Sequence, residues 1–193
     1  MSFSLERPVP LSLCASGPLA WFADGAGGPM SLPWPTQGMA RALLESVLWK
    51  PRMRWFPTRL LLLAPLRYRR MPCPLDVAGI GLCKGTPLVV LEQVHVRIDA
   101  ELWLNAEKAP RGEADNHRKY AEMFLRRLGQ QKLFRPAFFG LETFPARLSL
   151  ATGTEQPLPI DLDWGPMPGD SFGEPLLEGV MRGGVVDFRS PAS

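Results

Sequence analysis

The sequence predicts an α+β fold, because two amphipathic helix patterns are separated by segments with the alternation typical of β-strands. The clearest strand pattern covers residues 91–104, where apolar and polar side chains alternate along the whole stretch. The helix patterns begin near Thr36 and near Asn116, and each is preceded and followed by a strand pattern. The resulting order β-α-β-β-α-β is that of ferredoxin-like (RRM-like) domains.

A chain of 193 residues, of which 46% are hydrophobic, is long enough for one domain with a hydrophobic core. We assign residues 1–150 to the ferredoxin-like domain and residues 151–193 to a loop-rich C-terminal extension. The extension ends in a predicted β-hairpin over Val180–Phe188, because the pair Gly183–Gly184 accommodates the positive φ angles of a tight turn.

The first half of the domain contains the firmest helix pattern. It follows a first strand predicted over Val9–Ala15, and it begins at Thr36, whose side chain can cap the first turn. Its apolar positions form one stripe: Met39, Ala40, Leu43, Leu44, Val47 and Leu48. Pro51 ends the helix. A second strand is predicted over Thr58–Tyr68, followed by an irregular connection over Pro72–Pro87.

The second half of the domain repeats the pattern. A helix is predicted over Asn116–Leu128, capped by Asp115 or Asn116 and closed by Gly129. The fourth strand is predicted within Phe138–Leu150.

The charges are distributed unevenly, although the formal net charge is only +3. From Thr154 onward, seven acidic residues stand against Arg182 and Arg189 alone. The rest of the chain is therefore strongly basic. This asymmetry predicts one side that faces a polyanion and another surface with a different role.

The basic character is concentrated after the first helix, where no acidic residue stands between Glu45 and Asp76. The interval contains seven cations and four aromatic residues: Lys50, Arg52, Arg54, Arg59, Arg67, Arg69 and Arg70, with Trp49, Trp55, Phe56 and Tyr68. Cations interleaved with aromatic rings suit an irregular or single-stranded nucleic acid, because charges offset phosphates and rings stack on bases. The alternative is a solvated basic face beside a core helix.

Several other classes of protein are disfavoured. No segment is long and apolar enough for a membrane span, and the N-terminus lacks the layout of a signal peptide. The three cysteines, Cys14, Cys73 and Cys83, do not have the spacing of metal ligands. We therefore expect a cytoplasmic protein with reduced thiols and without a metal or cofactor.

Four blocks of sequence carry a specific resemblance. They are LLESVLWKPRMRW (43–55), LEQVHVRIDAELWLN (91–105), DNHRKYAEMFLRRL (115–128) and FFGLETFPARLSL (138–150). In this order they resemble the CRISPR-associated Cas five (Cas5) subunits, a branch of the RAMP superfamily, and most closely those of type I-C systems. The resemblance covers nearly the whole chain and agrees with the ferredoxin-like pattern.

The resemblance implies a subunit of a crRNA-guided surveillance complex (Cascade) in antiviral defence. Such a subunit binds the 5′ handle of the crRNA and caps one end of the backbone filament. It contacts the neighbouring backbone subunit and the large subunit, and it meets target DNA only through the assembled complex. Some type I-C members also cleave the precursor RNA without a metal, with the ribose 2′-OH as nucleophile.

The residues implied for cleavage are not all present. Processing members have a tyrosine or histidine before the tryptophan of the WKP segment, where this chain has Leu48. They also have an adjacent Lys-His pair on the second helix, where this chain has Lys119 and Tyr120. We therefore expect RNA binding without processing chemistry. The alternative is an endoribonuclease whose rearranged site uses Lys119, Tyr120 or His117, although an exposed position in the first helical turn is expected for His117.

The predicted RNA-binding residues come from the basic stretch and the two helices: Arg41, Trp49, Lys50, Arg52, Arg54, Trp55, Arg118, Lys119, Arg126 and Arg127. For Trp49 and Trp55 the alternative to stacking on RNA is packing inside the protein. A third hypothesis, an RRM-like single-strand binder, is disfavoured because Trp103 has no aromatic partner two residues away on its strand.

Overall fold

A computed structural model describes residues 8–22, 28–73, 86–105, 117–167 and 177–188. In chain order the elements are β1 (Val9–Ala20), α1 (Gln37–Val47), β2 (Met53–Leu62), β3 (Tyr68–Met71), β4 (Leu88–Leu104), α2 (His117–Gly129), β5 (Arg147–Leu150), β6 (Leu162–Met167), β7 (Leu177–Met181) and β8 (Val185–Asp187). The predicted caps Asp115 and Asn116 and most of the Pro72–Pro87 connection lie outside the described residues.

The main sheet has the order β5-β1-β4-β2-β8, and β3 pairs with the start of β4. All of its strand pairs are antiparallel. The four predicted strands correspond to β1, β2, β4 and β5, so their spatial order is fourth, first, third, second. With α1 after the first strand and α2 after the third, this confirms the α+β, ferredoxin-like prediction.

One face of the sheet forms the core. Alternate residues of β4 are buried, as their pattern predicted: Val94, Val96, Ile98, Ala100, Leu102 and Leu104. Helix α1 packs beside β2, and α2 packs on β5, β1 and β4. The opposite face of β4 carries half-buried polar and aromatic side chains. We call this opposite side the open face of the sheet.

Strand β2 begins five residues earlier than predicted, at Met53 rather than Thr58. Met53, Trp55 and Pro57 are buried, whereas Arg54 and Phe56 between them are half-buried. Pro57 is tolerated because β2 is bonded on one side only at this point, and a register shift follows the proline. Residues 53–57, which precede the predicted strand, are therefore part of β2, and their odd-numbered side chains are buried while the even-numbered ones are half-buried.

Helix α1 begins as predicted, since the Thr36 side-chain oxygen accepts a hydrogen bond from the backbone N–H of Met39 at 3.3 Å. Its carboxyl end is held by tertiary contacts. The carbonyl oxygen of Ser46 accepts from the backbone N–H of Phe134 at 2.7 Å, and that of Val47 accepts from Nε of Arg127 at 2.9 Å. These bonds satisfy carbonyl groups that a helix end otherwise leaves to solvent.

Helix α2 does not end in the predicted way. Gly129 is its last helical residue, and the left-handed residue is Gln131, with φ of 55°. The backbone N–H of Lys132 donates to the carbonyl of Arg127 at 2.9 Å, and that of Gln131 donates to Leu128 at 3.1 Å, which is a Schellman motif. The Gln131 amide also donates to the carbonyl oxygens of Leu128 and Leu148, both at 3.1 Å. These two bonds hold a non-glycine residue in this conformation.

The turn predicted at Gly183–Gly184 is present between β7 and β8. Gly183 and Gly184 have φ angles of 54° and 74°, and Arg182 and Val185 exchange backbone hydrogen bonds of 2.9 Å across them. The two arms pair with different neighbours, β7 with β6 and β8 with β2. Strand β6 lies in the region that was predicted to be loop because it is rich in proline and glycine.

Candidate nucleic-acid interface

Helix α1 lies beside the first half of β2, where β2 is bonded to β4 and not yet to β8. The Gln37 side-chain amide donates to the carbonyl oxygen of Pro57 at 2.9 Å, and Nε of Arg41 donates to that of Trp55 at 2.8 Å. These bonds satisfy carbonyls at an edge that otherwise attracts other strands. They also place the Arg41 guanidinium where the helix meets the open face.

A cluster of cations and rings lies at this corner. The guanidinium carbons of Arg41 and Arg54 are each 5.7 Å from the centroid of the Phe56 ring. The Trp103 ring meets Phe56 edge-on, with 6.1 Å between centroids, and Trp103 is opposite Arg54 in the ladder between β2 and β4. We call Arg41, Arg54, Phe56 and Trp103 the sheet-face cluster.

The cluster is suited to an anionic ligand. Guanidinium groups stacked on a ring keep their orientation, and their N–H edges can bind phosphate. The nearby Glu101 carboxylate accepts a hydrogen bond from the Trp103 indole at 3.0 Å. Among the residues that the structure describes, the cluster thus combines two guanidinium groups with one neighbouring carboxylate.

The predicted RNA-binding residues differ in exposure. Trp49, Lys50, Arg118, Lys119 and Arg126 are exposed, Arg41, Arg54 and Arg127 are half-buried, and Arg52 and Trp55 are buried. Arg118 and Arg127 on α2 also make contacts within the protein. Arg118 forms an ion pair with Glu122 one turn later, at 3.0 Å, and Arg127 binds the end of α1.

The predicted stacking of Trp55 on RNA does not fit its position. Its side chain is fully buried, and its ring packs against Phe124 with 4.7 Å between centroids. The indole Nε1 donates to the carbonyl oxygen of Leu48 at 3.1 Å. No face of the ring is available to a base, so Trp55 is a core residue.

The predicted phosphate contact of Arg52 does not fit either. Arg52 is only 6% exposed, and its guanidinium carbon lies 5.9 Å from the centroid of the Tyr120 ring. Its carbonyl oxygen accepts from the backbone N–H of Asn105 at 2.8 Å. Arg52 therefore joins the turn after α1 to α2 and to the end of β4.

The three candidate catalytic residues do not share one environment. His117 is only 3% exposed, so the expectation of an exposed first-turn residue is wrong. Lys119 is exposed on α2, and Tyr120 is half-buried beneath Arg52. Leu48 is also buried, at 3% exposure, and its hydrocarbon side chain has no group that exchanges a proton.

The middle of the open face is occupied by an ionic network. Nε of Arg97 donates to Asp99 at 2.8 Å, and its Nη1 donates to Glu155 at 3.1 Å. Ser12 donates to Asp99 at 2.7 Å, and the Cys14 thiol donates to Glu155 at 3.7 Å. This part of the face is thereby closed by the segment that carries Glu155.

Two pKa values reflect this network. Burial and the adjacent Glu155 carboxylate raise the pKa of the Cys14 thiol to about 11, so the thiol stays protonated. Hydrogen bonds lower the pKa of Glu155 to about 2, and the largest contribution is from the backbone N–H of Thr152 at 2.6 Å. Glu155 therefore remains a carboxylate that anchors the extension to the sheet.

Among the described residues, no group of three or more histidine, cysteine or acidic side chains is placed to hold a metal ion. No helix in the described part of the chain is long and apolar enough to cross a membrane.

Comparison with known proteins gives a clear relationship. No family model matches the chain. The curated protein "CRISPR pre-crRNA endoribonuclease Cas5d" of Thermus thermophilus is 31% identical over 147 residues, which cover 72% of this chain. This chain belongs to the Cas5 family of CRISPR-associated proteins. The matched region covers 62% of the length of that Cas5 relative.

Two solved structures have the same fold. One, described as the crystal structure of a CRISPR-associated protein, superposes with a TM-score of 0.77 at 17% identity, over 98% of this chain and 96% of the other. The functionally uncharacterized protein SMU1763c of Streptococcus mutans superposes with a TM-score of 0.79 at 15% identity, also over 98% and 96%. Both likenesses support the α+β fold.

One of the blocks that carry the Cas5 resemblance, residues 138–150, has a clear structural role. Gly140 has a φ angle of 89°, and a Cβ atom there would collide with the carbonyl oxygen of Trp21. The neighbouring Phe139 accepts at its carbonyl from the backbone N–H of Trp21 and donates to the carbonyl of Phe144, at 3.0 and 2.8 Å. This glycine lets the turn before β5 lie against the end of β1.

The structure also identifies two aromatic residues that the sequence analysis did not select. Phe56 lies at the centre of the sheet-face cluster, and Phe134 lies beside Trp49. Phe56 stands in the basic stretch and was visible there as a ring between cations. Phe134 has no such signal, because it is far from Trp49 in the chain.

Proposed function

We propose that this Cas5 protein is a guide-RNA-binding subunit of a type I-C-like CRISPR surveillance complex. It holds the 5′ handle of the crRNA and caps the backbone filament, in contact with the neighbouring backbone subunit and the large subunit. Target DNA is met only through the assembled complex. The name of the relative from Thermus thermophilus supports an RNA ligand, since that protein acts on precursor crRNA.

The observation that carries the proposal is the sheet-face cluster. Two guanidinium groups stack on one ring at the corner between α1 and the open face. Phosphate groups of an RNA backbone are bound by such pre-oriented N–H donors. Lys50, exposed in the turn after α1, continues the positive surface, and Lys119 and Arg126 on α2 are further candidates for the RNA path.

A second candidate function is cleavage of precursor crRNA, which is favoured by the name of the same relative. In that reaction the ribose 2′-OH loses its proton to a base and attacks the adjacent phosphorus, and the 5′-oxygen leaves with a proton from an acid. Lys119 would stabilise the phosphorane charge, and Tyr120 or His117 would have to exchange protons. The burial of Leu48 and His117 makes binding without cleavage the better-supported function.

The test uses purified protein, the RNA of the cognate CRISPR repeat and EDTA. Binding is measured by fluorescence anisotropy, and cleavage on a denaturing gel. Lys119→Ala is compared with Lys132→Ala, which removes the same charge from an exposed site after α2. We expect tight binding and intact RNA for the parent protein. A discrete product that disappears only in Lys119→Ala would establish the endoribonuclease, and absence of binding would overturn both functions.

A further inference from the structure

Two exposed rings meet at the carboxyl end of α1. Trp49 follows the helix, and Phe134 follows the Schellman motif of α2; they are 41% and 55% exposed. Their centroids are 6.1 Å apart and their planes are inclined by 31°. Such a distance is typical of rings in contact, so the two rings form one continuous surface rather than a slot between them.

The backbone holds this pair in place. The backbone N–H groups of Phe134 and Arg135 both donate to the carbonyl oxygen of Ser46, at 2.7 and 3.1 Å. The Arg135 guanidinium forms an ion pair with Glu45 at 3.3 Å. Phe134 is therefore fixed against the end of α1 by three bonds to that helix, while its ring faces solvent.

Among the described residues, the charges around the pair are mainly positive. Lys50 is the exposed neighbour of Trp49, and Arg127 contacts the end of the helix two residues before Trp49. The adjacent acidic group, Glu45, is paired with Arg135. An exposed aromatic surface with cationic neighbours matches the stacking platforms that bind unpaired bases in nucleic acids.

We propose that Trp49 and Phe134 form an aromatic step on which one unpaired base of the guide RNA stacks. The inference rests on the proposed RNA-binding function and adds a base contact to its phosphate contacts. Because the rings already touch, the base stacks on their outward surface and is not inserted between them. The step binds any of the four bases without sequence preference, since every base has a π-face.

The variants are Trp49→Ala, Phe134→Ala and the conservative Trp49→Phe. Leu150→Ala is the control for loss of an exposed apolar side chain, because Leu150 on β5 is 43% exposed. Each alanine variant is expected to weaken binding of the cognate repeat RNA on the order of 10-fold, and Trp49→Phe is expected to restore most of the affinity. The slope of affinity against salt stays unchanged, because no phosphate contact is lost.

A second measurement separates stacking from a structural effect. Repeat RNAs that each lack one base, at successive positions, are titrated with the parent protein and with Trp49→Ala. At the stacked position the missing base weakens binding to the parent protein, and it has no further effect on the variant, as a double-mutant cycle requires. Thermal unfolding confirms that the variants are folded.

The outcomes are distinct from those of the proposed function. If ring variants bind RNA as the parent does, the aromatic step is overturned while the RNA-binding function stands. If they bind RNA normally and lose association with the other subunits of the complex, the surface is a protein contact and the proposal is again overturned. If the parent protein does not bind the RNA, the proposed function fails first.

Discussion

The indole Nε1 of Trp55 donates a hydrogen bond to the main-chain oxygen of Leu48 at 3.1 Å, and both side chains are buried. Leu48 follows α1, and Trp55 lies in β2. The bond closes the WKP turn across its base, so that Trp49 and Lys50 remain at the surface while the tryptophan six residues later enters the core. Two tryptophans of one sequence block thus have opposite roles.

Replacing Trp55 should reduce stability far more than replacing Trp49. Trp55→Ala removes a fully buried ring that packs on Phe124, which costs about 3–5 kcal/mol of unfolding free energy. Trp55→Phe keeps most of the apolar volume and loses the hydrogen bond to Leu48, which costs about 1–3 kcal/mol. Denaturant unfolding measures both. Equal losses for Trp49→Ala and Trp55→Ala would contradict the assignment of one ring to the surface and one to the core.

Removal of Arg54 should lower the affinity for RNA and make that affinity less dependent on salt concentration. Arg54→Ala deletes one guanidinium of the sheet-face cluster, so affinity for the repeat RNA falls by about 10-fold and the salt slope decreases by about one. Arg59→Ala is the control, because Arg59 lies further along β2 and pairs with Asp187 at 3.5 Å. Anisotropy titrations at several salt concentrations give both quantities. Identical slopes for the two variants would exclude a phosphate contact at Arg54.

A methyl group at Gly140 should be much more costly than one at Gly153. Both glycines have positive φ angles, 89° and 83°, so alanine is strained at either site by about 1 kcal/mol or more. Only at Gly140 does the new Cβ also collide with a backbone oxygen, that of Trp21. We expect Gly140→Ala to lower the melting temperature by clearly more than Gly153→Ala in calorimetry. A similar shift for both would mean that φ strain alone governs the site.

Acid should release the contact between the extension and the sheet. The pKa of Glu155 is lowered from 4.5 to about 2, so its proton is bound more tightly in the unfolded chain than in the folded one. Its contribution to stability is therefore complete above about pH 4.5 and is lost as the pH falls through about 2. Glu155→Gln should be less stable than the parent at pH 7, and the difference should shrink toward pH 2.

The control for this pH series is Glu142→Gln, at an exposed carboxylate in the turn before β5. Its unfolding profile should run parallel to that of the parent protein across the same pH range. The account of Glu155 would be refuted if Glu155→Gln also ran parallel to the parent, because the depressed pKa would then make no contribution to folding.

The elements differ in how far their boundaries could be predicted from the sequence. The start of α1 was predictable because Thr36 caps it locally, within three residues of the bonded N–H. The end of α2 was not predictable, because Gln131 is held in its left-handed conformation by a hydrogen bond to the carbonyl of Leu148 on β5, a distant part of the chain. The start of β2 was missed because a proline at position 57 suggests a break in the strand. In the structure Met53–Pro57 pairs with β4 alone, and a proline is tolerated in a strand that is bonded on one side only.

The sequence by itself determined the order of the two helices and of the four strands β1, β2, β4 and β5. It also determined the buried face of β4 and the glycine turn of the C-terminal hairpin, because each of these features depends on neighbours a few residues away. It also identified the family through four ordered blocks. Only the tertiary structure decided which basic and aromatic residues reach the surface. Arg52 and Trp55 are withdrawn into contacts with α2, and Phe134 is brought beside Trp49 by bonds to the end of α1. These outcomes depend on contacts between segments that are distant in the chain, and local sequence patterns do not predict such contacts.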